Sequence, residues 1–264
     1  MCVRDMKDPR SLLSRYGADA KKYYSQNFLV SEKVVNKMSS FACGTVLEIG
    51  PGVGTLTDAL SKKADRVLAI EKDPQMVEIL TNEYSWDNVK VICADALETQ
   101  IPPYDVCISS VPYAISSPLV FRLLETDFTS LVLLLQKEFA EKLIGASKPS
   151  RLTMMATAQT SGTRVMSVRP QAFFPRPKVD SWVVRLVPEK KVDVDTFYYM
   201  TATALFTHKR KTVRNALVDA REIFNKDKKE MRALVEDIPY PDMRCVTLDI
   251  YKIREIATFL SDKT

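Results

Sequence analysis

Two short stretches of this chain carry residue types at a spacing that chemistry can use. In Glu48-Ile49-Gly50-Pro51-Gly52-Val53-Gly54, three alternating glycines follow a carboxylate. Glycines at that density let backbone approach a ligand closely. The spacing is G-x-G-x-G rather than the G-x-G-x-x-G of dinucleotide binders, and an acid at its head repels a pyrophosphate. The loop suits a nucleotide-like ligand that carries positive charge. The second stretch, Ser110-Val111-Pro112-Tyr113, offers a short hydroxyl, a carbonyl fixed by a proline and an aromatic face.

S-adenosylmethionine, with its sulfonium and amino group, fits the first stretch better than NAD does. The second stretch then has a matching task. An exocyclic amine such as adenine N6 is a poor nucleophile, because its lone pair is delocalised into the ring. Acceptors that hold its N–H groups favour the pyramidal nitrogen of the transition state, and a ring face holds the base flat. Alone, each stretch also reads as a plain turn. The elements around them favour the chemical reading.

Thr45-Val46-Leu47 is a predicted strand before the glycine loop, and Thr55 to Leu60 starts a helical pattern after it. Arg66 to Ile70 is a second strand ending at Glu71, and Asn88 to Cys93 a third ending at Asp95. Asp105 to Ile108 is a fourth ending at Ser110, and Leu131 to Leu135 a fifth, followed by helical Lys137 to Ile144. Strands alternating with helices predict an α/β fold with a mostly parallel sheet covered on both faces. Ligands in such sheets bind beyond the carboxyl ends of the strands, where Glu48, Glu71, Asp95 and Ser110 converge. Glu71 there is suited to accept both ribose hydroxyls. Asp95 with Ala96 is suited to read an adenine, the carboxylate accepting from N6 and a backbone N–H donating to N1. The alternative for Asp95 is a helix N-cap.

Thr163 to Val168 and Ser181 to Leu186 read as two final strands, with an ordered loop rich in proline and aromatics between them. Within it, Phe173-Phe174-Pro175-Arg176-Pro177-Lys178 offers an aromatic wall for a flipped-out base, with Arg176 and Lys178 for flanking phosphates. Core packing of the phenylalanines is the alternative. Beyond Pro188 the helical patterns Thr196 to Ala220, Lys226 to Glu236 and Leu248 to Ser261 predict a small helical domain. Residues 1–188 and 189–264 are therefore the expected domains. On the first of these helices, His208-Lys209-Arg210-Lys211 and Arg214 flank an apolar stripe of Leu205, Phe206, Val213, Ala216 and Leu217. Five basic or potentially basic residues in seven positions, without an acid, predict phosphate contact by Lys209, Arg210, Lys211 and Arg214.

With 264 residues, 46% hydrophobic and 27% charged, the chain has the composition of a soluble globular protein of one large and one small domain. Its formal net charge of +5 permits nucleic-acid binding without demanding it. The longest strongly apolar run, Leu131 to Leu135, is too short to span a bilayer. Charges scattered through residues 4–22 leave no signal-peptide core, so a cytoplasmic protein is expected. Cys2, Cys43, Cys93, Cys107 and Cys245 show no C-x-x-C spacing, and His208 is the only histidine. No metal site is expected, nor a Ser-His-Asp or Cys-His hydrolase. The expectation for the thiols is burial in reduced form.

These motifs together resemble the rRNA adenine N6,N6-dimethyltransferases of the small ribosomal subunit, the KsgA type. The resemblance covers nearly the whole chain. Gln26-Asn27-Phe28-Leu29 is similar to the family's N-terminal cofactor motif, Glu48 to Gly54 to its glycine loop, and Asp95-Ala96-Leu97 to its third-strand motif. Ser110 to Leu119 is similar to its catalytic loop; Gln136 to Ala140, Pro177 to Ser181 and the basic segment from Phe206 to Leu217 match further signatures. The resemblance implies a class I S-adenosylmethionine methyltransferase, Rossmann-like, with a C-terminal helical domain. It implies that Gln26, Asn27, Leu29, Glu48, Gly50, Gly52, Gly54, Glu71, Asp95, Ala96 and Ser110 form the cofactor site. It also implies that Ser110 and the Val111 carbonyl, before Pro112, hold the target amine, while Tyr113 and Phe173 sandwich the adenine.

The family's substrates are two adjacent adenosines in a hairpin loop near the 3′ end of small-subunit rRNA, each dimethylated. A monomer acting on a pre-30S-type particle is implied. Where the family usually has Asn-Leu-Pro-Tyr this chain has Ser110-Val111-Pro112-Tyr113, and Ala114 replaces a usual asparagine. That departure bears on rate and on the second methylation more than on the reaction class. Two other readings stay open: a resistance-type methyltransferase of large-subunit rRNA, and a non-catalytic RNA-binding assembly or transcription factor of the same fold.

Overall fold

A computed structural model describes residues 7–21 and 26–263. Val, Ile and Leu dominate five parallel strands: β2 (Thr45–Ile49), β3 (Arg66–Glu71), β4 (Val89–Cys93), β5 (Val106–Ser110) and β6 (Ser130–Gln136). Two further strands are β7 (Thr160–Val168) and β9 (Ser181–Pro188), and the seven-stranded order is β4-β3-β2-β5-β6-β9-β7. β9 runs antiparallel to β6. Ser130 through Leu135 are all buried, as expected for a central strand covered on both faces. β4 lies at an edge and is half-exposed. A separate two-stranded ribbon joins β1 (Phe28–Leu29) to β8 (Phe173–Phe174), so the loop between the last two strands is ordered, as its composition suggests.

The helices between strands start where capping chemistry allows. α1 (Pro9–Arg15) and α4 (Pro74–Glu83) each begin with a proline behind an aspartate, Asp8 or Asp73, whose carboxylate accepts an amide of the first turn. α2 (Glu32–Ser39) and α3 (Thr55–Ser61) lay Val34, Val35, Met38, Leu56 and Leu60 over Val46, Val67, Val106, Ile108, Val132 and Leu134 of the sheet. Leu134 is fully buried there, and truncating such a leucine to alanine costs about 2–5 kcal/mol. α5 (Ser116–Leu124) follows the Ser110 loop, and α6 (Lys137–Leu143) follows β6.

The chain forms two compact units, one built from residues up to Ala140 with Thr163–Val187, the other from Glu141–Gly162 with Pro188–Thr264. This division differs from the expected 1–188 and 189–264. Residues 141–162 join the second unit because α7 (Arg151–Gln159), buried at Leu152, Met154, Met155 and Ala156, packs on α8 (Thr196–Thr207) and α11 (Ile250–Lys263). α8 carries apolar residues nearly all round, the pattern of a helix enclosed by others. Asp195 caps its start through the Tyr198 amide at 2.8 Å.

Sequence periodicity predicts one helix from Thr196 to Ala220, and here the structure differs. α8 ends at Thr207, and a second helix, α9 (Val213–Asp219), starts after a turn at His208–Thr212. The turn's backbone is claimed by a distant segment: Lys211 and Lys209 carbonyls accept from the amides of Cys245 and Val246, at 3.0 and 3.1 Å. Thr212 forms an isolated bridge with Arg244. Lys209, Arg210 and Lys211 therefore sit on a turn, not on a helix face. α10 (Lys228–Leu234) completes the helices.

The thiols also depart from expectation. Cys107 and Cys245 are buried, but Cys43 and Cys93 are exposed. Cys43 lies in the turn before β2, and Cys93 ends the edge strand β4. Cys2 lies outside the described residues, as do Arg4 and Lys22.

Candidate active site

Chain reversal at the carboxyl ends of β2, β3, β4 and β5 creates a cavity of about 360 Å³. Its lining includes Gln26, Asn27, Leu29, Glu48, Gly50, Gly52, Glu71, Asp95, Ala96, Ser110, Val111, Pro112, Tyr113 and Phe173. The sequence motifs thus converge on one place. Gly54 is the exception. It stands at the N-cap of α3 with φ of 86°, outside the cavity lining, and its missing side chain makes room for Leu80 and Tyr84.

The glycine loop is held by contacts a side chain would break. Gly52 has φ of 57°, and a Cβ there would lie 2.8 Å from Cε1 of Phe28. A Cβ on Gly50 would lie 3.1 Å from Cγ of Pro112, so the two sequence motifs pack directly on each other. Behind the loop, the Tyr84 hydroxyl donates to the Val53 carbonyl at 3.0 Å. Trp86 stacks on Tyr84 at 4.3 Å and donates its indole N–H to Asp58.

Three carboxylates line the cavity, in three different states. Glu71 is buried and accepts the Gly52 amide at 3.0 Å and the Asp73 amide at 2.9 Å. Burial raises its carboxyl above the ordinary range, and those backbone N–H groups oppose the rise. Glu48 is 1% exposed, and among the described residues its Oε2 has no hydrogen-bond partner. Burial, opposed by the Thr57 hydroxyl and aided by the charge of Glu71, pushes Glu48 up to about 8. Asp95 goes the other way. Lys72 Nζ at 2.5 Å and the Leu97 amide at 2.8 Å hold it below the usual range. The Leu97 bond closes a turn rather than a helix: no helix follows Asp95, so the N-cap weighed for it is not formed, and its place in the lining stands.

The Ser110 loop is anchored on both sides. Ser109, fully buried, donates its hydroxyl to the Ile49 carbonyl at 2.6 Å, and the Val111 amide donates to Leu134 at 3.2 Å. Tyr113 Oη and Ser181 Oγ are 2.7 Å apart. Phe173 is buried in β8, and its strand partner in β1 is Leu29. Gln26 binds Asp73 at 2.9 Å, and Lys21 pairs with the same carboxylate at 2.8 Å. Ser109, Lys72 and Asp73 were not legible as site residues. A small polar residue in an apolar strand, or an aspartate before a proline, reads as ordinary structure.

The basic residues fall elsewhere. Arg176 and Lys178 are exposed on the loop after β8, outside the cavity lining. Lys209, Arg210, Lys211 and Arg214 are exposed in the second unit. Lys211 pairs with Asp219, and Arg214 donates to the Glu236 carbonyl at 3.2 Å. At the N-terminus, Lys7 and Arg15 pair with Glu83.

Two glycines in the lining, a buried carboxyl with one oxygen unpartnered and acids at three strand ends fit an adenosyl ligand bearing a cation. A family model of ribosomal RNA adenine dimethylases matches residues 17–251. The chain belongs to the ribosomal RNA adenine dimethylase family. It is 40% identical over 260 residues, 95% of its length, to the probable ribosomal RNA small subunit methyltransferase A of Thermococcus onnurineus, covering 96% of that protein. Among solved structures it is similar to a dimethyladenosine transferase from Plasmodium falciparum, with TM-score 0.76, 29% identity, and 89% and 98% of the two chains covered. It is also similar to the 23S rRNA methyltransferase ErmE, with TM-score 0.66, 26% identity, and 89% and 100% covered. The fold is that of class I methyltransferases that bind S-adenosylmethionine, as expected of this dimethylase family.

Proposed function

We propose that this chain dimethylates N6 of two adjacent adenosines in the 3′-terminal hairpin loop of small-subunit rRNA, in ribosome biogenesis, with S-adenosylmethionine as donor. The observation that carries the reading is the single cavity that joins Glu48, Glu71 and Asp95 to Ser110-Val111-Pro112-Tyr113. The bound cofactor supplies an electrophilic methyl group on a sulfonium. Glu71 holds the loop that cradles it and is placed for the ribose; Asp95 and Ala96 read its adenine. Ser110 Oγ and the Val111 carbonyl accept from the target amine, and Tyr113 and Phe173 hold the base between ring faces. Single-stranded loops are where bases splay out for such readout.

A small-subunit substrate is favoured by 40% identity to a small-subunit methyltransferase against 26% to the large-subunit enzyme. Arg176, Lys178, Lys209, Arg210, Lys211 and Arg214 are the proposed phosphate contacts, the partner a pre-30S-type particle, the working form a monomer and the compartment the cytoplasm.

The test is methylation of under-modified small subunits with labelled S-adenosylmethionine, followed by nucleoside analysis. N6,N6-dimethyladenosine in the 3′-terminal hairpin is the expected product. Monomethyladenosine alone would place a deficit in the second transfer, where the shorter Ser110 acts. Label in large-subunit rRNA instead, or particle binding without turnover, would overturn the reading.

A further inference from the structure

We propose that Glu48 tells the charged cofactor from its spent product, giving up a proton to solvent when S-adenosylmethionine enters and regaining it when only the neutral thioether remains. The inference rests on the cofactor reading above and concerns the same cavity. Its starting point is geometric: a carboxyl 1% exposed, in the cavity lining, with one oxygen unpartnered. Burying such a group is costly, and it persists where a ligand completes it.

Among the described residues, no cation bears on the carboxyl. From β3 it feels Glu71, from β5 Cys107, and from behind α4 Tyr84, all acidic groups. From α3 buried Thr57 offers a hydroxyl, not a charge, and it opposes the rise only in part. Lys72, the one lysine in the lining among the described residues, pairs with Asp95. In the free protein burial therefore keeps Glu48 protonated at neutral pH, with its carboxyl at about 8.

S-adenosylmethionine brings a sulfonium, an ammonium and a carboxylate, a net charge of plus one. S-adenosylhomocysteine keeps only the ammonium and carboxylate and is net neutral. The extra cation favours the ionised carboxyl, so only the donor draws the proton off. After transfer the carboxyl recovers its proton, and the site loses its electrostatic hold on the product. Product release is thereby helped without a moving part.

The experiment is calorimetric titration of the full chain with each ligand at pH 7, in buffers of different ionisation enthalpy. A carboxyl at about 8 is roughly nine-tenths protonated at that pH. Donor binding is then expected to release roughly 0.9 proton more than product binding. Donor affinity should rise nearly tenfold per pH unit from 6 to 7.5, while product affinity stays flat. Glu48→Gln, which has the same shape but cannot ionise, should abolish both differences and subtracts the ligand's own amine, which titrates near 7.7–8.0 in model amines.

Equal proton counts for the two ligands in the wild-type chain would overturn the proposal. So would an undiminished difference in Glu48→Gln. If that variant fails to fold, the wild-type comparison alone decides. Absence of binding heat with either ligand is a different failure: it removes the cofactor reading and this inference with it.

Discussion

Ser109 donates its hydroxyl to the carbonyl of Ile49 at 2.6 Å, across 60 residues of sequence. The bond ties the residue before the Ser110 loop, in β5, to Ile49 at the end of β2, inside the glycine motif and one residue before its first glycine. Its neighbour Ser110 faces the cavity instead. Adjacent serines are thus given opposite duties by the alternation of a strand. Ser109→Ala is expected to lower unfolding free energy by about 0.5–1.5 kcal/mol and to weaken cofactor binding as well. Ser110→Ala should leave stability within about 0.5 kcal/mol while kcat falls by roughly 10²–10³. Denaturant titration beside steady-state kinetics separates them; a stability loss at Ser110 with unchanged kcat would refute its placement.

Gly52 and Gly17 share φ of 57°, yet a Cβ on Gly17 has nothing within 4 Å, whereas one on Gly52 meets the Phe28 ring. Both alanine variants incur the left-handed penalty of about 1–2 kcal/mol. Only Gly52→Ala must also push Phe28 or the loop aside. It should lose cofactor affinity by at least tenfold, and Gly17→Ala should not, as read by calorimetry.

Carboxyls raised by burial make the fold weaker as pH rises. The unfolded chain releases its proton near 4.3, while folded Glu48 holds its own up to about 8. Between those values stability declines with pH, then levels off. Glu48→Gln should flatten that decline and exceed the wild-type chain in unfolding free energy at pH 9. Asp95 has the opposite sign. Its depressed value adds stability above the normal aspartate range, lost as pH falls through the folded value, and Lys72→Ala should bring its carboxyl resonance back toward that range.

Lys209, Arg210 and Lys211 are all exposed on the basic turn, but Lys211 is paired with Asp219. Each phosphate contact adds roughly 0.7–0.9 to the slope of log affinity against log salt. Replacing Lys209 and Arg210 by alanine should lower that slope by roughly 1.4–1.8 in particle-binding titrations. An unchanged slope would remove the turn from the RNA contact.

The strand ends were legible because apolar runs followed by glycine or an acid leave few other readings in an α/β chain. Ser109 was not, since its purpose depends on a carbonyl 60 residues away. The break at His208–Thr212 was hidden for a related reason. Leu205, Phe206, Val213, Ala216 and Leu217 are all buried, so the helical period continues in the sequence while the backbone pairs with 244–246. Membership of 141–162 in the second unit depends on what α8 needs packed against it, which no local pattern records.

The stack of Trp86 on Tyr84, itself bonded to Val53, places a natural fluorophore two contacts from the cofactor loop. The chain has two tryptophans, and the other, Trp182, lies under the Arg164 guanidinium at 4.8 Å. A Trp182→Phe chain emits from the loop's indole alone. Filling the cavity then becomes visible as a change in light, with no label attached and no turnover required.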